Sequence, residues 1–222
     1  MQKRGPYSSP LQAQRQHDIL EATRALITSE GEEAITIQRV ARLSRVSAKT
    51  IHNIFGSRDS LLLASASRSL NNFQFGDELA EIEAGIPRLF FFIERIMNRF
   101  EQETDYMARI ISVVVRANPA LEHSEHQIAR IQSLALNQLK VAKAQGELLD
   151  NVDLDALSKQ IAAGQWGSAF LWLRGALTLE QFVSATKINL CVTLSPFCQG
   201  SRKTWVEQKL DLYQSLSSKE KH

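Results

Sequence analysis

Apolar residues recur at intervals of three and four along most of this chain, the repeat of helices with one buried face. Gly and Pro are sparse between these stretches, so the pattern predicts an all-α fold rather than turn-rich β structure. The first helix runs from Leu11 to Ser29, with Ile19, Leu20, Ala22, Thr23, Leu26 and Ile27 on its inner face and Gly31 as its stop. Two short pieces follow, one carrying Ile37, Val40, Ala41 and Leu43 inward, the other Ile51, Ile54 and Phe55. A fourth helix opens at Arg58–Asp59, turns Leu61, Leu62 and Ala64 inward, and continues past Leu70 to a break near Gly76.

The later pattern predicts five long helices and a short one. In the stretch from Ile86 to Phe100, Ile86, Leu89, Phe90, Ile93, Ile96, Met97 and Phe100 form one stripe. Phe92 lies at its margin, and Phe91, almost opposite, needs a second surface or sits exposed. The stretch Asp105 to Ala117 is apolar nearly all round, with Arg109, Ser112 and Arg116 as a narrow polar strip. Asn118-Pro119 ends it and starts a long helix reaching Gly146, whose face holds Leu121, Ile128, Ile131, Ala135, Leu139 and Ala142. Leu154 to Gly175 has two apolar faces, one with Leu157, Ile161, Gly164, Ser168, Leu171 and Trp172, the other with Ala162, Trp166, Ala169, Leu173 and Leu177. Leu179 to Leu194 is similar, and a short basic amphipathic helix follows with Trp205, Val206, Leu210, Leu212 and Tyr213. A flexible arm is expected over residues 1–10 and a disordered tail over 217–222.

Start signals sharpen the picture between Thr36 and Leu62. Thr36, Ser47 and Ser57 are hydroxyl residues suited to cap the orphan amides of three successive helices. Leu43-Ser44-Arg45-Val46 joins the first two so tightly that they read as a helix-turn-helix. Charge then indicates a partner. The chain is nearly balanced at net +2, yet from Ala34 to Arg58 there are Arg39, Arg42, Arg45, Lys49 and Arg58 and no Asp or Glu. A helix N-terminus ringed by cations suits the phosphate backbone of double-stranded DNA.

These residues resemble the DNA-binding domain of TetR-family transcriptional regulators. The resemblance rests on Thr36, Val40-Ala41, Val46-Ser47, Thr50-Ile51, Phe55, Ser57-Arg58-Asp59 and Leu61-Leu62, with the lead-in Ser29-Glu30-Gly31 and Ala34-Ile35-Thr36. Arg45 and Lys49 replace the family's common glycines, and His52-Asn53 its aromatic pair; Ile54 stands where an aromatic or His is frequent. A positive φ at Arg45 costs about 1 kcal/mol, so a rearranged turn is expected. Thr36, Arg45, Ser47, Thr50 and Arg58 are the expected phosphate contacts. Gln38, Lys49, His52 and Asn53 are the expected base-edge readers, since Lys suits guanine and Asn or Gln adenine.

The resemblance also implies a DNA-binding domain over residues 11–60 and an effector-binding and dimerisation domain over 61–216. It pairs the helices at 154–175 and 179–194 with those of a second subunit as a homodimer, and it encloses a small-molecule pocket. Phe90, Phe92, Met97, Met107, Ile111, Val114, Trp166 and Phe170 are its candidate lining, for an apolar or aromatic effector; Arg109 and Arg116 are candidate partners for an anionic one. The expected function is a dimeric, ligand-responsive regulator, a repressor that leaves a palindromic operator when an effector shifts the fourth helix. The alternative is a DNA-bound interaction protein that uses Phe91 and the basic last helix to hold a protein partner.

Other chemistry is thinner. No Ser/His/Asp or Cys/His constellation and no phosphate loop points to an enzyme, and no cofactor is expected. His123 and His126, with Glu122 and Glu125, have a spacing that could hold a metal, or they form a charged, solvated helix start. Cys191 and Cys198 read as reduced packing residues of a cytoplasmic protein. No run is long enough to span a membrane and no secretory leader is seen.

Overall fold

The structure, a computed structural model, describes residues 10–71, 78–117 and 124–219. Among these it is helical, with one isolated antiparallel bridge between Leu148 and Cys198. The helices are α1 (Pro10–Glu30), α2 (Ile37–Leu43), α3 (Ala48–Phe55), α4 (Arg58–Asn71), α5 (Glu78–Glu81), α6 (Ile86–Gln102), α7 (Thr104–Arg116), α8 (Ser124–Ala144), α9 (Leu154–Leu173), α10 (Leu179–Leu194) and α11 (Gly200–Lys219). Short 3-10 turns occupy Glu32–Ala34 and Ser195–Phe197. The expected arm, the break near Gly76, the Asn118-Pro119 boundary and His123 lie outside the described residues.

Two compact units divide the chain, one within Met1–Phe73 and Ala108–Ser124, the other within Gln74–Met107 and Glu125–His222. In the first, α1 packs on α2 and α4 around Ile19, Leu20, Leu26, Ile27, Val40, Ile51, Leu61 and Leu63, all buried. Most of α7 goes with this unit, and its Ile110, Ile111, Val113 and Val114 are buried. Leu43, expected inward, is 55% exposed because α2 ends there and the chain turns away.

The second unit has a denser aromatic core. Trp172 and Phe182 stack with ring centroids 5.1 Å apart, and Phe100 meets both edge-on. Local signals fix the ends of its helices. Asp153 caps α9 by accepting from the amides of Asp155 and Ala156, and Thr178 with Gln181 closes a reciprocal capping box on α10. The last helix is not short: α11 has 20 residues, so Ser217 to Lys219, read as tail, are helical. Its Trp205 ring has Arg202 and Lys209 each 5.4 Å from the centroid and Phe90 edge-on at 5.0 Å. Tyr213 and Lys209 both donate to the Glu94 carboxylate, and Arg202 pairs with Glu147 and Glu83. A basic helix therefore docks through cation–aromatic and ion-pair contacts that its apolar pattern alone understated.

Candidate nucleic-acid interface

The site is built on caps. Thr36 Oγ1 accepts from the Arg39 amide at 3.2 Å to open α2, and Ser47 Oγ accepts from the Thr50 amide at 3.1 Å to open α3. Ser57 does the same for Ser60 at 3.0 Å. The Ser47 and Thr50 hydroxyls also bond each other at 2.8 Å. That bond uses one of their two protons and leaves the other for an outside acceptor.

The turn between α2 and α3 closes without rearrangement. The Val46 amide donates to Ala41 O at 3.0 Å and the Arg45 amide to Arg42 O at 3.4 Å, the paired bonds of a left-handed helix cap. The residue between the two bonds must be left-handed, and Arg45 is, at φ 55°, the one non-glycine with positive φ among the described residues. The same bonds close α8 with Gly146 and α9 with Gly175 in that position. Arg45 thus stands, exposed, in the position that glycine holds in the other two caps.

Ile51 is buried and Ile54 and Phe55 are half-buried, which turns Lys49, His52 and Asn53 outward on one face of α3. His52 donates through Nδ1–H to Gly56 O at 3.0 Å, just past the end of α3. Gln38 is exposed on α2.

Of the five cations in the acid-free stretch, two are engaged. Arg39 holds Glu30 through both oxygens, at 2.6 and 3.0 Å, and also donates to Ala34 O. That pair holds the exposed Glu30 carboxyl below its ordinary range. Arg58, expected on phosphate, instead donates to Ile35 O at 2.7 Å and Glu32 O at 2.5 Å, with Asp59 on its remaining nitrogen. Glu32 O also accepts the Ile35 amide at 3.2 Å, and its second lone pair together with Ile35 O is met by the forked N–H groups of one guanidinium. Arg42, Arg45 and Lys49 remain, all exposed and without an ion pair or hydrogen-bonded side-chain partner among the described residues.

The comparisons agree with this geometry. The family model of bacterial regulatory proteins of the tetR family matches residues 19–65. Over that stretch the chain is similar to the DNA-binding domain of TetR-family regulators. It is 39% identical over 66 residues to the HTH-type transcriptional regulator AlkX of Mycobacterium tuberculosis, covering 30% of this chain and 31% of that protein. It is 30% identical over 106 residues to the HTH-type transcriptional repressor KstR of Mycolicibacterium smegmatis, covering 46% and 52%. The chain thus spans about a third and about half the length of these two curated relatives. The fold is shared with Thermus thermophilus FadR, a TetR-family transcriptional repressor in complex with lauroyl-CoA. There the TM-score is 0.66 at 18% identity, over 83% of this chain and 96% of that one.

Outside the helix-turn-helix the predicted site residues scatter. Phe90, Phe92, Met97 and Met107 are buried in the second unit, whereas Ile111 and Val114 are buried in the first. Trp166 is half-buried, and its Nε1 has no hydrogen-bond partner among the described residues. Phe170, expected in a pocket, is 48% exposed on the outer face of α9. The second apolar face of α9 is not free either: Ala162 and Ala169 are buried. Exposed instead are Ala163, Gly167, Phe170 and Leu171, joined by Val192 on α10. Phe91 is half-buried against Phe92 and under Arg95, and α11 is docked by its basic residues. The two features a protein-holding role relied on are therefore used internally. Arg109 and Arg116, offered to an anionic ligand, bind Ile27 O and Glu32. Cys191 and Cys198 are buried thiols, which burial pushes up to about 12 and about 11. Among the described residues no three metal-ligating side chains gather, and no helix is long and apolar enough to cross a membrane.

Sequence reasoning missed how the cations divide between structural and outward roles. Glu30 lies nine residues before Arg39 and outside the acid-free stretch, so a local count of charges overlooked the pair.

Proposed function

We propose that this chain is a dimeric, ligand-responsive transcriptional regulator of the TetR family that represses by binding a palindromic operator. The observation carrying this reading is the outward trio Arg42, Arg45 and Lys49 around the capped N-terminus of α3. Free cations at a helix N-terminus match phosphate, while Lys49, His52 and Asn53, with Gln38 beside them, offer donors and acceptors to base edges. Thr36, Ser47, Thr50 and Arg45 are the phosphate contacts in this reading; Arg58 supports the framework instead. The repressor KstR among the relatives supports repression.

Dimerisation uses α9 and α10. Ala163, Gly167, Phe170 and Leu171 form one strip along α9, and a Cβ on Gly167 meets nothing within 4 Å, so a second chain can approach closely. The effector is small and largely apolar, a reading supported by the buried aromatic residues and by the lauroyl-CoA held in the FadR structure. It acts by binding the released arrangement of the two recognition helices better than the DNA-bound one.

Selection of bound duplexes from a random pool with purified protein tests this. A twofold-symmetric consensus is the expected outcome. A monomer at micromolar concentration, or indifference to duplex DNA at low salt, would end the proposal.

A further inference from the structure

We propose that Arg109, on α7, is a positioning residue for DNA recognition: it fixes the end of α1 and through it the start of the helix-turn-helix. This rests on the DNA-binding reading above. The segment from Ile27 to Ile35 closes α1, makes a 3-10 turn and delivers the chain to Thr36, where α2 begins. A helix end followed by a tight turn leaves carbonyls without helical donors. Three arginines donate to carbonyls of this segment, and a fourth pairs with one of its carboxylates. Arg39 donates to Ala34 O at 3.0 Å, and Arg58 to Glu32 O and Ile35 O; Arg109 donates to Ile27 O at 3.0 Å, and Arg116 reaches the Glu32 carboxylate at 2.7 Å.

The first two lie on α2 and at the start of α4. The other two come from α7, 82 and 84 residues further along the chain than their partners. They are not equivalent. Arg116 has a side chain 70% exposed, and an exposed ion pair contributes little. Arg109 is half-buried and meets the negative end of α1 at the carbonyl of a fully buried residue, where a charged donor counts for more. Ile27 O also accepts the Gly31 amide at 3.1 Å, so one oxygen ties α1, the turn and α7 together. The Arg109 guanidinium also lies across Gly31, whose left-handed backbone at φ 88° has room for it because a Cβ there would stand 3.3 Å from Nη1.

α7 is one continuous helix whose residues before Ala108 belong to the second unit. Arg109 points at backbone rather than outward, so its effect falls on the geometry of recognition and not on the charge presented to DNA.

The test uses full-length protein and two duplexes: one selected from a random pool by the wild-type chain, and one of scrambled sequence. Binding is measured across a salt series, well below the melting temperature of each variant. Arg109→Met, which keeps length and removes the donors, is expected to weaken binding to the selected duplex about fivefold or more, the lower end of ordinary coupling between sites. Binding to the scrambled duplex and the salt slope should stay at wild-type values. Arg109→Lys should restore part of the loss, and Arg116→Ala should change affinity less than about twofold. Equal losses on both duplexes would mark a general folding defect. A salt slope reduced by about 0.9 per protomer would mark a direct phosphate contact. Either result, or unchanged binding, overturns the proposal. A wild-type chain that selects no duplex removes the DNA-binding reading and this proposal with it.

Discussion

Arg45→Gly should make the protein more stable and a weaker DNA binder at once. Arg45 sits at φ 55° in a left-handed cap that α8 and α9 close with glycine. An L-residue there carries about 1–2 kcal/mol of backbone strain. Glycine removes it but gives back about 0.4–1 kcal/mol by widening the unfolded ensemble. The net is up to about 1.6 kcal/mol of added stability, or a melting temperature raised by up to about 6 °C for a chain of this length. Against that, the substitution deletes one of three outward cations. Each phosphate contact adds about 0.9 to the dependence of log K on log salt, so a dimer losing two copies should lose about 1.8. At the low-salt end of a fourfold salt range the affinity deficit should be about twelvefold larger than at the high-salt end.

Thermal unfolding and fluorescence anisotropy on one labelled duplex measure the two effects separately. Arg45→Ala is the control, because it keeps the strained backbone and removes the charge: its salt slope should fall as in Arg45→Gly while its stability does not rise. A glycine variant that melts no higher than wild type, with an unchanged salt slope, would show that neither the strain nor the phosphate contact is real.

Lys49→Ala and Arg42→Ala should each lower the salt slope by about 0.9 per protomer, whereas Arg39→Ala, whose cation is engaged by Glu30, should leave it unchanged in the same titration. Arg58→Ala should instead destabilise the chain by about 1–3 kcal/mol, read by thermal melting, with an unchanged salt slope at temperatures where it is folded. Gly164→Ala would place a Cβ 2.3 Å from Asn189 Oδ1 and displace the acceptor of the Thr193 hydroxyl, costing about 1–3 kcal/mol, while Phe170→Glu should shift sedimentation toward monomer without that loss. The buried thiols have folded pKa values raised above the ordinary 9.0, to about 12 and about 11. Their contribution to stability is therefore full below pH 9 and is lost as pH rises toward 11–12, so Cys191→Ala should flatten the alkaline decline in melting temperature. At pH 8 neither thiol of the folded chain should react with a disulfide reagent.

What was legible in the sequence was whatever is encoded locally. The hydroxyl caps at Thr36, Ser47 and Ser57, the outward face Lys49–His52–Asn53 and the boundaries of α9 and α10 all follow from residues within one or two turns of each other. Roles that depend on distant partners were not legible. Arg58 looked like a phosphate contact because the carbonyls it binds carry no side-chain signature, and α11 looked short because its anchors Glu83, Glu94 and Glu147 lie far away in the chain. Phe170 illustrates a third limit: a helix with apolar residues nearly all round does not say which face meets its own core, and only the packing against α10 assigns Ala162 inward and Phe170 outward.

The arginines make the same point about charge. Sequence alone treats Arg39, Arg42, Arg45 and Arg58 as one basic patch, since all lie within a stretch free of acids. Structure divides them by the geometry of their surroundings. Where a helix end or 3-10 turn exposes carbonyls, as at Ala34 and Ile35, the guanidinium turns inward and the charge supports the framework. Where the backbone already satisfies itself, as in the α2 cap with its two closing bonds, no carbonyl attracts the side chain and Arg45 stays outward. The cation available to DNA is therefore decided by which backbone groups the fold leaves unmet, and the strained cap at Arg45 is the place where the chain accepts a cost to keep one free.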